Sequence, residues 1–207
     1  MPQGKFQPFE NDIRVPMYVR GPGIRPGSTR PDIIGTHVDI MPTLLSLAAA
    51  TSSVDASTTI QDMDGENLAP LLLEKATPKR NILLIEYIGL GPVIRYQHQE
   101  DAYNNTFVAL RIIDSTLPKG WQNMKYVEYR DCRNDWNFTN KAKEYELFDL
   151  ATDPFEMKNI VSSASKDLLA RLHKVLRELY TCAGEACRGV TFPRPSMLSY
   201  KELDAIQ

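Results

Sequence analysis

The fold is decided by residues 4–43, which read GKFQPFENDIRVPMYVRGPGIRPGSTRPDIIGTHVDIMPT. Residues 13–20 alternate apolar and polar side chains, a pattern typical of a β-strand. Pro16 either places that strand at a sheet edge or makes its first residues irregular. Glycine and proline then predict two successive turns. Asp39 is predicted to N-cap a helix that runs to about residue 50.

The next segments predict a loop, a short helix and four strands. Residues 51–61 are small and polar, which predicts a loop, and the following DMDGENLAPLLLEK predicts a turn and a short helix. From residue 81 onward, apolar side chains alternate or form the short runs of buried strands. The predicted strands cover residues 81–88, 107–113, 124–130 and 144–150.

The clearest helical pattern lies between Leu168 and Tyr180. Apolar residues recur there at the three- and four-residue spacing of an amphipathic helix that packs on one side. Arg171 and His173 fall on its polar face, and His173 is not expected to be functional. Four strands and one covering helix predict a small α+β layer structure, followed by a proline-rich tail.

Size and charge bound the possible classes of protein. The chain has 207 residues, 43% of them hydrophobic, which is enough for one sizeable core with a subdomain. A net charge of −2 gives no reason to expect a nucleic-acid partner, and any site for an acidic sugar must be local. No segment approaches the ~20 apolar residues of a membrane span.

The three cysteines and two glycosylation sequons bear on the cellular compartment. Cys182 and Cys187 flank AGEA, a spacing that suits a local disulfide but also allows two free thiols, and Cys132 has no evident partner. Together with this pair, the sequons at Asn104 and Asn137 favour a lysosomal or secreted protein. A cytosolic protein with chance sequons is the alternative. The first twelve residues lack the apolar core of a signal peptide, so we expect a longer parent protein.

Several stretches resemble the sulfatase family in the same order along the chain. They are DIRVPMYVRGPGI, VDIMPTLLSLA, MDGENLAPLL and LLIEY, followed by ELFDLATDPFEMKNI and LRELYTCAGEACR. The later stretches are similar to the N-acetylglucosamine-6-sulfatase branch and, less closely, to heparan-sulfate 6-O-endosulfatases. The resemblance implies the C-terminal part of an alkaline-phosphatase-like α/β fold. It divides the chain into the end of the large domain (1–75), a four-stranded antiparallel subdomain (76–190) and a tail (191–207).

The resemblance also implies a chemistry that this chain does not carry by itself. Family members attack sulfur with a formylglycine made within a C-x-P-S-R type motif, and a divalent cation, usually calcium, neutralises the sulfate. None of the cysteines is followed by that motif, and the family's metal ligands should precede Met1. We therefore expect no metal site here and a chain that is inactive alone.

Four side chains are candidates for contact with substrate. Lys5 matches the family lysine that touches the sulfate, a role that suits a compact cation, although a solvated lysine is expected in the isolated chain. His37 could face the sulfate pocket, His98 could border the sugar site and Glu86 could accept hydrogen bonds from sugar hydroxyls. Each also has an ordinary structural or surface interpretation. Asn104 is as readily glycosylated as in contact with substrate.

Two functions of different classes remain open, and both involve a sulfated sugar. The first is part of a sulfatase that hydrolyses 6-sulfate esters on N-acetylglucosamine residues of a glycosaminoglycan. The second is a non-catalytic module that binds sulfated glycans. A chain that folds poorly alone is a third outcome. In that case the segment 13–20 and the helix after Asp39 would expose an apolar patch.

Overall fold

A computed structural model describes residues 6–31, 33–50, 57–89, 105–130 and 141–192. These ranges contain a single four-stranded sheet whose strands follow one another in space as they do in sequence. All neighbours are antiparallel. The strands are β1 (Ile82–Tyr87), β2 (Thr106–Ile113), β3 (Asn123–Arg130) and β4 (Glu144–Asp149).

The sheet confirms the predicted antiparallel subdomain. The helices are α1 (Glu10–Ile13), α2 (Ile40–Ala49), α3 (Ser57–Gln61), α4 (Ala69–Leu72), α5 (Lys166–Thr181) and α6 (Glu185–Gly189). α5 is the helix predicted from its apolar spacing, and it starts where the hydroxyl of Ser165 accepts a hydrogen bond of 3.1 Å from the Leu168 amide.

The main core lies between α5 and one face of the sheet. Val108 and Leu110 of β2 are fully buried there, against Leu172 and Leu176 of α5. Because side chains alternate along a strand, the intervening residues of β2 and β3 point to the opposite face. There the segment from Phe6 to α1 packs on the sheet, with Phe9 meeting Phe148 edge-on at 6.2 Å.

The predicted strand over residues 13–20 is wrong. After α1 ends, the chain runs on without regular structure, and Met17 and Tyr18 are 59% and 92% exposed. A strand needs a neighbour to accept its backbone hydrogen bonds, and none of the described segments pairs with this one. Alternation alone could not reveal that the partner was missing.

Asp39 occupies the predicted N-cap position of α2, but its side chain does not cap that helix. A short 3₁₀ turn, His37–Asp39, precedes α2, and Asp39 has helical backbone angles and caps no backbone group of α2. It is instead fully buried, because its carboxylate binds groups from three other parts of the chain. The loop predicted over residues 51–61 includes α3, and α6 was not predicted at all.

Candidate functional site

A row of aromatic rings crosses one end of the sheet on the face opposite α5. Tyr87 stacks on Phe107 with centroids 5.5 Å apart, and Phe107 meets Tyr129 at 5.9 Å. Phe6 extends the row, since its ring lies 5.8 Å from that of Tyr87. The side-chain amide of Asn105 donates to the Phe6 carbonyl at 2.8 Å. The N-terminal segment is thereby fixed where β1 ends and β2 begins.

A cluster of four charges lies beside this row, and we call it the Glu10 cluster. It consists of Glu10, Arg111, Lys125 and Glu156. Arg111 Nε donates to Glu10 at 2.9 Å, and Lys125 Nζ lies 3.6 Å from the same oxygen while forming an ion pair with Glu156. The Glu10 amide donates to Glu156 at 2.6 Å. Two carboxylates and two basic side chains thus neutralise one another's charges on the sheet face opposite α5.

Burial sets the electrostatics of the Glu10 cluster. The Lys125 side chain is 0% exposed, and the loss of water lowers the pKa of its ammonium group despite the opposing pull of Glu156 and Glu10. Glu156 has a φ of 57°, in the left-handed region that residues other than glycine seldom occupy. A strained backbone that presents a buried carboxylate is a feature of sites that must be held rigid.

A second buried carboxylate lies on the helix-covered face. Glu128 is 0% exposed, and it accepts hydrogen bonds from the Tyr126 hydroxyl at 3.0 Å and the Arg130 guanidinium at 2.5 Å. His173 Nδ1 of α5 lies 2.6 Å from it. Burial alone would raise the pKa of Glu128, but His173 and Arg130 together hold it below its usual value. His173 therefore ties α5 to the sheet and is not merely solvated.

Asp39 forms a third polar centre, near the start of β1. Its oxygens accept from Arg80 at 2.5 and 2.8 Å, and from the amides of Thr36 and Glu66 at 2.7 Å each. Gly65 lies so close that a side-chain carbon there would be 2.1 Å from the Val38 carbonyl oxygen. The turn before α2 is therefore tied both to residues 65–66 and to the approach to β1.

The disulfide allowed by the sequence is present between Cys182 and Cys187. Within its loop the Gly184 amide donates to Asp64 at 2.6 Å, and glycine there has a φ of 60°. From α6, Arg188 donates to the carbonyl of Met63 and, at 3.2 and 3.3 Å, to those of Gln61 and Ile60. Arg188, just after the disulfide loop, thus caps carbonyls at the end of α3, while the loop itself binds Asp64.

The structure places two of the four predicted substrate-contacting residues. Glu86 is exposed near the end of β1, and partial desolvation raises the pKa of its carboxyl group. By strand alternation it points to the helix-covered face, opposite Tyr87 and Phe6. His37 is exposed and lies two residues from Asp39, whose partner Arg80 precedes β1. The turn that carries His37 is therefore held near the start of β1, whereas Glu86 lies near the end of that strand.

The remaining predicted positions lie outside the described residues: Lys5, His98, Asn104, Asn137 and Cys132. Two of them adjoin the aromatic row in sequence, because Lys5 precedes Phe6 and Asn104 precedes Asn105. Within the described ranges, no group of three His, Cys, Asp or Glu side chains is placed to hold a metal ion. The same ranges contain no helix that is long and apolar enough to cross a membrane.

Sequence reasoning missed the Glu10 cluster and the Glu128 contacts. A signal was available in NMKYVEYR, where Lys125 and Glu128 interrupt an otherwise apolar and aromatic strand on opposite faces. Charges at such positions are expected to be paired when both faces of a sheet are covered. The sequence did not show that α1 covers the second face.

The chain is similar in sequence to several sulfatases. It is 31% identical over 205 residues to N-acetylglucosamine-6-sulfatase of Bos taurus, a match that covers 91% of this chain and 33% of the relative. It is 31% identical over 192 residues to arylsulfatase of Chlamydomonas reinhardtii, covering 89% and 28%. A solved Bacteroides fragilis structure described as a sulfatase aligns with a TM-score of 0.45 and 20% identity over 74% of this chain and 26% of its own. No family model matches. The chain spans about a third of the length of these curated relatives.

Proposed function

Because similarity along nine tenths of its length places the chain in the sulfatase family, we propose that it forms part of an enzyme that hydrolyses sulfate esters. The proposed substrate is the 6-sulfate of N-acetylglucosamine residues in a sulfated glycosaminoglycan. The observation that carries this proposal is the 31% identity to N-acetylglucosamine-6-sulfatases over 205 residues. The chain would supply the C-terminal part of an alkaline-phosphatase-like α/β fold.

In this proposal the lysine ahead of the aromatic row contacts the sulfate. Lys5 would place an ammonium group on a sulfate oxygen and stabilise the negative charge that develops there. The anchoring of Phe6 against Tyr87 and Asn105 supports a fixed approach of the chain to this point. A flexible approach would lose part of that stabilisation, because catalytic groups act best when they are already positioned.

The other candidate residues would recognise the sugar. Glu86, with its raised carboxyl pKa, would accept hydrogen bonds from sugar hydroxyls near the end of β1. His98, in the connection from β1 to β2, would border the same sugar. His37 would face the sulfate from the turn before α2. The Asp39–Arg80 ion pair holds the turn that carries His37 near the start of β1, so the case for His37 is weaker than that for Glu86 near the end of the strand.

Calcium and formylglycine would be provided elsewhere in the complete enzyme. They supply charge neutralisation of the sulfate and the attacking nucleophile. The residues that the structure describes offer no donor set of three for a metal ion, so no reaction step is assigned to a metal held by them. The chain alone is accordingly proposed to bind the sulfated sugar weakly and to turn none of it over.

The exposed apolar surface supports the view that further polypeptide completes this fold. Met17, Met41 and Leu44 are each more than half exposed. Met17 and Leu44 line a shallow apolar cavity of about 60 Å³ to which Leu47 and Leu68 also contribute. Surfaces of this kind are normally covered by protein.

A lysosomal or secreted location is proposed for the complete enzyme. The Cys182–Cys187 disulfide supports it, because such bonds persist in oxidising compartments. N-linked glycans on Asn104 and Asn137 are part of the same proposal. Peptide mass mapping of the protein from a secreting host, before and after glycosidase treatment, would test both sites.

A chimera tests the proposed reaction. The 207 residues would replace the matching third of the Bos taurus N-acetylglucosamine-6-sulfatase, and hydrolysis of N-acetylglucosamine-6-sulfate would be measured. We expect activity in the chimera and a loss of about a hundredfold or more in kcat for Lys5→Ala. The matched control is Lys119→Ala, an exposed lysine in the turn between β2 and β3, which should leave kcat unchanged.

Two results would decide against the proposal. A folded chimera with no sulfatase activity contradicts the reaction, and an unchanged kcat in Lys5→Ala contradicts the role of that lysine. The isolated chain is examined in parallel by calorimetry with heparin fragments. Tight, salt-sensitive binding without any turnover in the chimera would favour the non-catalytic glycan-binding module.

A further inference from the structure

We propose that Glu10 is a positioning residue that fixes the segment after Lys5 on the C-terminal sheet. This inference rests on the proposed function, since it concerns the lysine proposed to contact sulfate. Its basis is the Glu10 cluster, in which side chains of β2, β3 and the turn after β4 converge on α1. The sheet subdomain would then hold the proposed sulfate-binding lysine, Lys5, in position, in addition to covering part of the fold.

The segment from Phe6 to Ile13 is attached at three successive points. Phe6 is held by the Tyr87 ring and by the Asn105 amide. Phe9 packs against Phe148 at 6.2 Å and beneath the Lys125 ammonium at 5.9 Å. Glu10 then completes the attachment with its carboxylate and its backbone amide. Attachments at residues 6, 9 and 10 restrain the path of the chain as it leaves residue 5.

Charge makes the third attachment the decisive one. Removing the Glu10 carboxylate would leave Arg111 and Lys125 with Glu156 as the only acid of the cluster, in a site where the Lys125 side chain has no contact with water. An unbalanced buried charge is costly, and the segment carrying α1 can lift away to let water reach it. The loss of one carboxylate should therefore free the whole segment while the β2–β3 pairing persists.

The four residues also serve as a link between distant parts of the sequence. Arg111 and Lys125 are cross-strand neighbours in the β2–β3 register, and Glu156 comes from the turn that follows β4. The separation between Glu10 and Glu156 is 146 residues. A change in the sheet subdomain would thus be transmitted to the segment after Lys5 through one small, rigid contact.

Limited trypsin digestion of the 207-residue chain tests the attachment. Trypsin can cut after Lys5 and Arg14, which bracket the segment, and the protected bond after Lys125 reports unfolding of the sheet itself. We expect Glu10→Gln to speed cleavage after Lys5 and Arg14 by about tenfold or more, without cleavage after Lys125. The matched control is Asp12→Asn on the same short helix, whose carboxylate takes no part in the Glu10 cluster. Its rates should stay within about twofold of the unchanged chain.

A second variant covers the case in which Glu10→Gln unfolds the sheet. Asn105→Ala removes the hydrogen bond to the Phe6 carbonyl and leaves the Glu10 cluster intact. We expect faster cleavage after Lys5, by about threefold, with the bond after Lys125 still protected. Unchanged cleavage after Lys5 in Asn105→Ala, or in a folded Glu10→Gln chain, would overturn the inference.

The chimera separates positioning from simple stabilisation. If Glu10 acts through Lys5, Glu10→Gln should lower kcat about tenfold with little change in KM, and should cause no further loss in a Lys5→Ala background. If the losses of kcat in Glu10→Gln and Lys5→Ala multiply in the double variant, Glu10 acts only on stability, and the positioning role is overturned. An inactive chimera with a positive trypsin result would refute the proposed function and with it the positioning of Lys5, while the attachment itself would stand.

Discussion

The sheet subdomain and the segment from residue 14 to residue 50 differ in how they are held. In the sheet subdomain, Leu172 is 0% exposed and even the charged Lys125 and Glu128 are fully enclosed. In the earlier segment Leu44 is 57% exposed and Tyr18 is 92% exposed. The first region has its own hydrophobic core, while the second is held to the rest mainly by polar contacts.

Those polar contacts are few and specific. Asp39 binds Arg80, and Arg30 donates to the Leu71 carbonyl at 2.6 Å. The residues that follow this segment are held in the same way, because Arg188 donates to carbonyls at the end of α3. The comparison teaches that a segment can be well placed without being well buried, and that its stability then depends on a handful of hydrogen-bonded charges.

Among the predictions, Asp39→Asn should have the largest effect on stability. It should detach residues 33–50 from the sheet subdomain. The change leaves Arg80 facing a neutral amide, with Glu66 at 3.1 Å as its remaining acidic partner, and removal of one member of a buried pair costs about 3–5 kcal/mol. Hydrogen exchange should rise in residues 33–50 while β2 and β3 stay protected. Equal loss of protection in the sheet would show that the two regions unfold as one unit. Asp62→Asn, at an exposed position, is the control.

A pair of leucine truncations should sharpen the contrast between the regions. Leu172→Ala empties space in the packed core and should lower the unfolding free energy by about 2–5 kcal/mol. Leu44→Ala removes a side chain that is more than half exposed and should cost less than about 1 kcal/mol. Urea titrations monitored by tryptophan fluorescence give both values. Similar costs at the two positions would mean that Leu44 is buried in solution, for example by a second copy of the chain.

Reduction of the disulfide should loosen only the contact between the end of the sheet subdomain and residues 57–64. Opening a loop of this size costs about 2 kcal/mol through the entropy of the unfolded chain. We expect faster exchange at residues 57–64, since Gly184 and Arg188 are then no longer held in place to bind them. Arg188→Gln with the disulfide intact should reproduce the exchange at residues 57–64. Unaltered exchange after reduction would show that α6 needs no disulfide to dock.

The smallest effect among these four predictions is the pH dependence of stability. Two carboxylates of the sheet, Glu128 and Glu146, should change the stability in opposite directions as the pH rises. The pKa of Glu128 is held low by His173 and Arg130 against the effect of burial, so its contribution to stability is lost as pH falls below about 4.5. Burial raises the pKa of Glu146, so stability is lost as pH rises from about 4.5 through the raised value. Glu128→Gln should make stability depend less on pH below about 4.5 and should lower stability at neutral pH. Glu146→Gln should raise stability at neutral pH. Thermal melts from pH 3 to pH 8 measure both slopes. The same sign of change in the two variants would contradict the assignment.

The elements predicted correctly are those whose information is local. The four strands and α5 follow from the alternation and spacing of their own apolar residues, and Cys182–Cys187 follows from a short spacing. The resemblance to sulfatases also depends on short ordered motifs, and the comparisons support it.

The elements that sequence reasoning missed depend on distant partners. The segment 13–20 has the pattern of a strand but no described neighbour, and Asp39 has the residue type of a helix cap but binds Arg80, 41 residues away. Glu10 meets Arg111 across 101 residues. No local pattern in a single sequence reports contacts of that separation. The proposed substrate contacts of Lys5 and His98 stay predictions because both residues lie outside the part of the chain that the structure describes.

The disulfide loop has a consequence for biosynthesis. The ribosome makes Asp64 some 120 residues before Gly184 and makes Met63 125 residues before Arg188. At a synthesis rate of roughly 5–20 residues per second, the carbonyl end of α3 waits for several seconds or longer before its cap emerges. During that interval the nascent chain presents its apolar residues from 15 to 44 to the surroundings. Because Met17, Tyr18 and Leu44 remain exposed after the disulfide has formed, chaperone binding there should persist once the second cysteine has been oxidised.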